Sequence, residues 1–238
     1  MLYLVIGIAA VIAGVIQTVT GFGSGIFMMM FFPVFLPVLN ASALSASITL
    51  IATAGVSWHY RKHIRFRLTV ISAVFYILAS TAALLLAPYI PTGLMIKIFG
   101  MFLILLSVYF LCFPNKLEIK ATLLSANICS VLSGFASGLF GIGGPPMVIY
   151  FLAATKDKEE YLGTIQFFFF ITGVYTFLLR IQRGIYHAGL IPLTLLGMAA
   201  ILIGKTVGEK IIDRIDGELM KRVIYVFLGL SGALNLFS

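Results

Sequence analysis

The chain has 238 residues, of which 61% are hydrophobic and only 10% are charged, and its net charge is +8. Soluble domains carry roughly 25% charged residues, so this composition excludes a soluble protein and predicts an all-α integral membrane protein of the cytoplasmic membrane. The positive charge does not indicate a nucleic-acid partner, because the basic residues lie in short stretches between apolar runs, where they act as topology signals.

Ten apolar segments follow one another along the chain. Eight of them are compatible with a membrane-spanning helix, which needs about 20 residues, and two are too short. Each short segment directly follows a glycine-rich cluster. The sequence therefore predicts a polytopic helical bundle of about eight spans plus two broken or re-entrant helices. The segments are approximately 2–20, 26–39, 42–58, 68–87, 94–113, 121–140, 146–154, 162–180, 189–204 and 219–237.

The two glycine clusters resemble each other. "GFGSGIFMMMFFP" begins at Gly21, and "GIGGPPMVIYFLA" begins 120 residues later at Gly141. A weaker likeness links "GLMIKIFGMFLILL" with "GELMKRVIYVFLGL". We therefore predict two copies of one unit, at residues 1–113 and 121–238, joined by a cytoplasmic linker at 114–120.

The distribution of basic residues decides how these copies are oriented. If each glycine break lay inside one straight span, the 16 basic residues would divide equally between the two sides. If each break turns the chain back, 13 lie on one side, and only Lys97, Arg180 and Arg183 lie on the other. The positive-inside rule favours the second arrangement. It places both termini outside and gives the copies opposite orientation, which makes them inverted repeats.

Inverted repeats with discontinuous helices are a recurring plan of secondary transporters, in which the substrate binds near the membrane midplane. Irregular backbone at that depth is tolerated only where protein or a water-filled cavity covers it. A helix that begins after each glycine cluster would present unpaired N–H groups and the positive end of its dipole, and such helix ends bind anions. The two breaks are therefore predicted to hold the substrate.

The candidate substrate-binding residues all lie at or near the breaks or carry rare polar groups within apolar segments. Glycine permits close approach to the backbone, proline suits a first helical turn, and hydroxyl and amide groups donate hydrogen bonds. The alternatives are close helix packing for the glycines and helix–helix hydrogen bonds for the amides. Leucine at Gly23 or Gly143 is expected to abolish transport in a protein that still folds. The candidates are Gln17, Thr20, Gly21, Gly23, Ser24, Gly25, Gly141, Gly143, Gly144, Pro145, Pro146 and Gln166.

The acidic residues favour an anionic or neutral substrate. All eight lie at loops or segment ends, whereas cation and proton carriers usually place a carboxylate inside the membrane. The sequence also lacks H-E-x-x-H, G-x-S-x-G and P-loop motifs. We therefore expect no enzyme activity, no cofactor and no metal site.

The motifs "GFGSGIFMMMFFP" and "GLFGIGGPPMVIYFL" resemble those of the TauE/SafE-type sulfite and organosulfur anion transporters. The likeness covers nearly the whole chain in layout and is concentrated in these two motifs. It implies transport of sulfite, thiosulfate, sulfoacetate or related small anions. It also implies that the pathway is shaped by Gly21, Gly23, Gly25, Gly141, Gly143, Gly144, Pro145 and Pro146, although the first motif lacks the paired prolines of the second. A passive anion channel and a non-transporting membrane scaffold remain alternatives, and a homo-oligomer is possible.

The charge count makes a prediction about topology. In a variant without Cys112 and Cys129, Ile64→Cys is expected to resist an impermeant thiol reagent in intact cells and to react after permeabilisation, because 59–67 would face the cytoplasm. Tyr89→Cys, on the opposite side, serves as the control and should react in intact cells. Labelling of Ile64→Cys from outside would contradict the inverted arrangement.

Overall fold

The computed structural model describes residues 1–112, 120–211, 225–226 and 229–236. These residues form helices and turns and no β-strand, which confirms the predicted all-α fold. The last two described ranges are helical. The α-helices with defined bounds are α1 Leu2–Thr20, α2 Ser24–Phe31, α3 Val38–His59, α4 Phe66–Leu86, α5 Thr92–Cys112, α6 Leu123–Phe140, α7 Gly144–Ala154, α8 Lys158–Gln182 and α9 Ile191–Ile211.

Within the described residues, six helices are long and apolar enough to cross a membrane, namely α3, α4, α5, α6, α8 and α9. Helices α2 and α7 are short, as predicted, with 8 and 11 residues. The remaining predicted spans are α1, which has 19 residues, and 219–237, which is described only in part. The total of eight spans therefore stays a prediction.

Both glycine clusters break their helices in the same way. Gly21 ends α1 with φ 78°, and Gly141 ends α6 with φ 70°. Each donates its N–H to the carbonyl four residues earlier, Gln17 at 2.9 Å and Ser137 at 2.8 Å. Glycine adopts this left-handed conformation without a steric cost and is the usual residue at such helix ends. The sequence thus ends each helix at a defined point inside an apolar region.

The two short helices are surrounded by protein. Met28 and Met29 of α2 and Met147 and Phe151 of α7 have no solvent-exposed surface. The α2 residues belong to a core shared with α1, α3 and α9, and the α7 residues pack with α4 and α8. The cover that irregular backbone requires in a membrane is therefore present around both breaks.

Glycines bring two pairs of helices into close parallel contact. Gly204 of α9 lies against the backbone of Val11 in α1, and Gly208 lies against Thr18. Gly138 of α6 lies against the backbone of Ser80 in α4, in the same manner. Helices approach this closely where at least one of them carries a small residue such as glycine at the crossing.

The pairing follows one rule in both halves of the chain. The first helix of each predicted repeat, α1 or α6, packs against the fourth helix of the other, α9 or α4. The third helices, α3 and α8, pack against each other. Two repeats related by a twofold axis would produce this pairing, in which the first helix of each repeat contacts the fourth helix of the other. The repeat itself and its boundaries at 1–113 and 121–238 stay predictions.

Side-chain contacts place the loops at two opposite ends of the molecule. His63 lies 3.1 Å from Glu159, and Arg65 lies 3.0 Å from Glu160, so that 59–67 and 155–161 share one end. The straight-span alternative, which puts these stretches on opposite sides, is therefore wrong. At the other end, Asn40 donates to the carbonyl of Ile185 at 3.4 Å. Which end faces the cytoplasm stays a prediction.

The close helix contacts predict a large effect of a single methyl group. Gly204→Ala is expected to destabilise the protein by about 1–3 kcal/mol, because its β-carbon would collide with the backbone of Val11 and overpacking has costs of that size. Gly7→Ala is the matched control, since no atom lies within 4 Å of its β-carbon position. Thermal melting of the two detergent-solubilised variants measures their stability. Equal melting temperatures for Gly204→Ala and Gly7→Ala would contradict the close packing.

Candidate functional site

The two breaks meet at one cavity of about 100 Å³, here called the inner cavity. The β-carbon position of Gly25 lies only 3.7 Å from the carbonyl oxygen of Gly141. Helix α2 begins at Ser24 and helix α7 at Gly144, and both residues line the cavity. Neither helix start has a side-chain cap. Two positive helix ends therefore border the same small space.

The remaining wall of the inner cavity consists of neutral polar groups and apolar side chains. Hydroxyl and amide groups come from α1, α2, α3, α4, α6 and α8. No charged side chain lines this cavity in the part of the chain that the structure describes. The polar side chains are Gln17, Ser24, Thr49, Thr53, Tyr76, Ser137, Gln166 and Thr176.

The structure brings most of the candidate residues together. Gly21 lies beside the inner cavity, in the wall of a larger one. Pro145 and Pro146 lie in the first turn of α7, as proposed from their sequence position. Thr20 ends α1, and its side chain lies outside the described residues. Whether these residues bind a substrate stays a prediction. The candidates that line the inner cavity are Gln17, Gly23, Ser24, Gly25, Gly141, Gly143, Gly144 and Gln166.

Two amide side chains hold the first break in place. Gln166 of α8 donates from Nε2 to the carbonyl of Gly21 at 2.6 Å, and Ser24 donates from Oγ to Oε1 of Gln17. The Oε1 atom of Gln166 is buried and has no partner among the described residues. Gln166 therefore makes the interhelical hydrogen bond considered as its alternative role, and it also lines the inner cavity.

Sequence reasoning missed several wall residues. Ser137 could have been found, because it follows Gln17 by the same 120 residues that separate Gly21 from Gly141. Tyr76 and Thr53 carry no such signal, since hydroxyl residues are common along α3 and α4 and only the tertiary fold selects these two.

Arg180 ends the predicted apolar segment 162–180 and is counted above among the basic residues that act as topology signals, but its side chain is not at the surface. The residue lies in the last turn of α8 with no solvent exposure. Its Nη2 donates to the carbonyl of Ser137 at 2.7 Å and approaches that of Gly138 at 3.5 Å. Its Nε and Nη1 atoms have no partner among the described residues. The position four residues after Thr176 places it on the face of α8 that lines the inner cavity.

A second cavity of about 600 Å³ adjoins the first, and we call it the vestibule. It lies at the end that carries 59–67, and its wall includes Arg61, Lys158 and Lys205 together with Glu209. Gln17 and Gln166 line both cavities. These two amides therefore lie at the boundary between the vestibule and the inner cavity.

Comparison with known proteins identifies relatives of this chain. A family model described as sulfite exporter TauE/SafE matches residues 6–234. A probable membrane transporter protein of Methanocaldococcus jannaschii is 30% identical over 173 residues, which cover 68% of this chain. The matched segment spans 64% of that relative's length. No solved structure is significantly similar to the chain.

The vestibule's basic wall predicts charge-dependent reactivity. In a variant without Cys112 and Cys129, Gly55→Cys would place a thiol near Nζ of Lys205, which lies 3.9 Å from the β-carbon position of Gly55. An anionic methanethiosulfonate reagent should react faster than a cationic one by roughly a factor of ten at low salt. Adding Lys205→Gln should reduce this ratio, and equal rates before that change would contradict an anion-attracting vestibule.

Proposed function

The chain belongs to the sulfite exporter TauE/SafE family, and from this premise we propose that it is a secondary transporter that carries a small anion across the cytoplasmic membrane. The observation that carries the proposal is the meeting of two uncapped helix N-termini at the inner cavity. We place both chain termini outside, with 59–67 in the cytoplasm.

The chemistry of the inner cavity suits an anion. Each helix N-terminus contributes the equivalent of about 0.5 positive charge, so two of them approximately balance one negative charge, and a divalent anion such as thiosulfate needs further donors. Transfer of a bare ion into the membrane is very costly unless hydrogen bonds replace its water shell. The hydroxyls of Tyr76 and Ser137 and the second N–H of the Gln166 amide can donate those bonds, whereas the hydroxyl of Ser24 already donates to Gln17.

The size of the inner cavity limits the substrate. Sites for drug-sized ligands have about 300–1,000 Å³, whereas this cavity has about 100 Å³, enough for one small oxyanion. The family description names sulfite. Sulfite, thiosulfate and a small sulfonate such as sulfoacetate are therefore the proposed substrates.

A carrier mechanism fits the difference between the two ends of the inner cavity better than a passive channel does. The inner cavity adjoins the vestibule at one end. Towards the other end of α8, Arg180 has no solvent exposure in the described structure, which supports a pathway that is closed at that end. The exchanged pairing of α1 with α9 and α6 with α4 supports two inverted units that rock against each other around a central site, as in many secondary transporters.

Counterflow tests this proposal. In proteoliposomes loaded with unlabelled thiosulfate or sulfite, uptake of radiolabelled thiosulfate is expected to exceed uptake into unloaded vesicles, because a carrier returns faster when it is occupied. Equal uptake under the two conditions would indicate a passive channel. Absence of uptake for every anion tried would favour a membrane scaffold.

Leucine at Gly144 is the sharpest variant for this assay. The β-carbon position there has Phe169 as its nearest neighbour, at 3.9 Å, so a leucine would fill the inner cavity without a backbone clash. Counterflow should be lost while the melting temperature is kept. Gly143→Leu is unsuitable, contrary to the expectation from sequence, because its β-carbon would lie 2.6 Å from the hydroxyl of Tyr76 and 2.7 Å from a backbone carbonyl. Gly7→Leu, with open surroundings, is the control that should transport normally.

A further inference from the structure

Arg180 is a buried cation without a matching anion. None of the ion pairs among the described residues includes it, since these join His63 to Glu159, Arg65 to Glu160 and Lys205 to Glu209. Only backbone carbonyls of α6 accept its hydrogen bonds, and two of its three nitrogen atoms have no partner in the described chain. A buried charge without a counter-ion is strongly unfavourable, and ionisable residues inside membrane proteins mark functional sites.

The position of Arg180 follows from the spacing along α8. Lys158, Leu162 and Gln166 line the vestibule. The inner cavity is lined by Gln166, Phe169, Gly173 and Thr176. Steps of three or four residues keep all these positions on one face of a helix. Arg180 is the next position on that face. It therefore lies beyond the inner cavity, at the end opposite the vestibule.

One layer of protein separates the guanidinium from the inner cavity. Its Nη2 is held by the carbonyl of Ser137, and Ser137 itself lines the cavity. A charge in such a water-poor region acts over a longer range than it would in water. The carbonyls at the end of α6 oppose it only in part, since a helix C-terminus carries about half a negative charge.

We propose that Arg180 determines charge selectivity, by supplying the fixed positive charge that holds a small anion in the inner cavity. This inference rests on the proposed function and names the residue that distinguishes an anion from a neutral molecule of the same shape. A purely structural role, in which Arg180 only ties α8 to the end of α6, would affect stability but not this distinction.

Two probes of nearly equal shape separate charge from fit. Methanesulfonate is an anion at every pH between 6 and 9, and dimethyl sulfone is its neutral counterpart. Displacement of radiolabelled thiosulfate from the purified protein gives their affinities for the wild type, Arg180→Gln and Arg180→Lys. We expect Arg180→Gln to weaken methanesulfonate binding by about tenfold and to leave dimethyl sulfone unchanged. At pH 6, Arg180→Lys should bind methanesulfonate nearly as well as the wild type.

The pH profile of Arg180→Lys provides a second readout. A buried lysine can lose its proton in the accessible pH range, whereas arginine cannot, so this variant should lose its preference for methanesulfonate as the pH rises from 6 to 9. The wild type should keep it. Among the described residues, the phenol of Tyr76 on α4 is the titratable group that interacts with position 180, and both proteins contain it. This profile decides the question even if Arg180→Gln fails to fold.

The outcomes separate the two proposals. If the wild type binds neither thiosulfate nor methanesulfonate, the proposed anion transport is wrong, and the inference falls with it. If the wild type prefers methanesulfonate and Arg180→Gln keeps the same preference, anion binding stands and the assignment to Arg180 is overturned. A pH-independent preference in Arg180→Lys, together with a lowered melting temperature, would likewise reduce Arg180 to a structural contact.

Discussion

The architecture depends on how the backbone is satisfied where two helices end inside an apolar region. A membrane supplies no hydrogen-bond partners, so each N–H and C=O group must find one within the protein or face a cavity. At the first break, the N–H of Gly21 donates a hydrogen bond to the carbonyl of Gln17, and Nε2 of Gln166 donates one to the carbonyl of Gly21. The N-terminal turns of α2 and α7 instead open onto the inner cavity. The backbone N–H groups that have no partner within α2 and α7 thus face the inner cavity.

Close helix packing holds this arrangement together. The breaks can face each other only if the helices that carry them are fixed, and the glycine contacts of α1 with α9 and of α6 with α4 provide that support. Both short helices are buried in apolar side chains such as Met29 and Phe151. The glycine contacts at Gly204 and Gly138 involve residues that do not line the inner cavity, whereas Gln166 both bonds to the first break and lines the cavity.

Local signals in the sequence predict the breaks well. Three glycines in five residues identify Gly21 and Gly141 as helix ends, and the residues that follow form short helices because apolar sequence continues for only a few turns. The charge distribution correctly groups 59–67 with 155–161, since basic loops avoid crossing the membrane. Eight of the twelve candidate residues line the inner cavity, and their role in substrate binding stays a prediction.

Tertiary contacts decide the rest. Tyr76 and Thr53 reach the inner cavity because α3 and α4 pack beside the breaks, which no local pattern specifies. Arg180 lies near a segment end, where an arginine normally marks a loop, and only the neighbouring α6 shows that it is buried. A charged residue near the end of an apolar segment can therefore be fully buried, although its position in the sequence predicts a location at the protein surface.

Direct observation of a bound anion tests the central claim that the two breaks form an anion site. Selenite has the geometry of sulfite and scatters X-rays anomalously. A crystal structure with selenite should show an anomalous peak between the start of α2 at Ser24 and the start of α7 at Gly144. A structure of equal quality with no peak there, or with a peak only in the vestibule beside Lys205, would contradict the account.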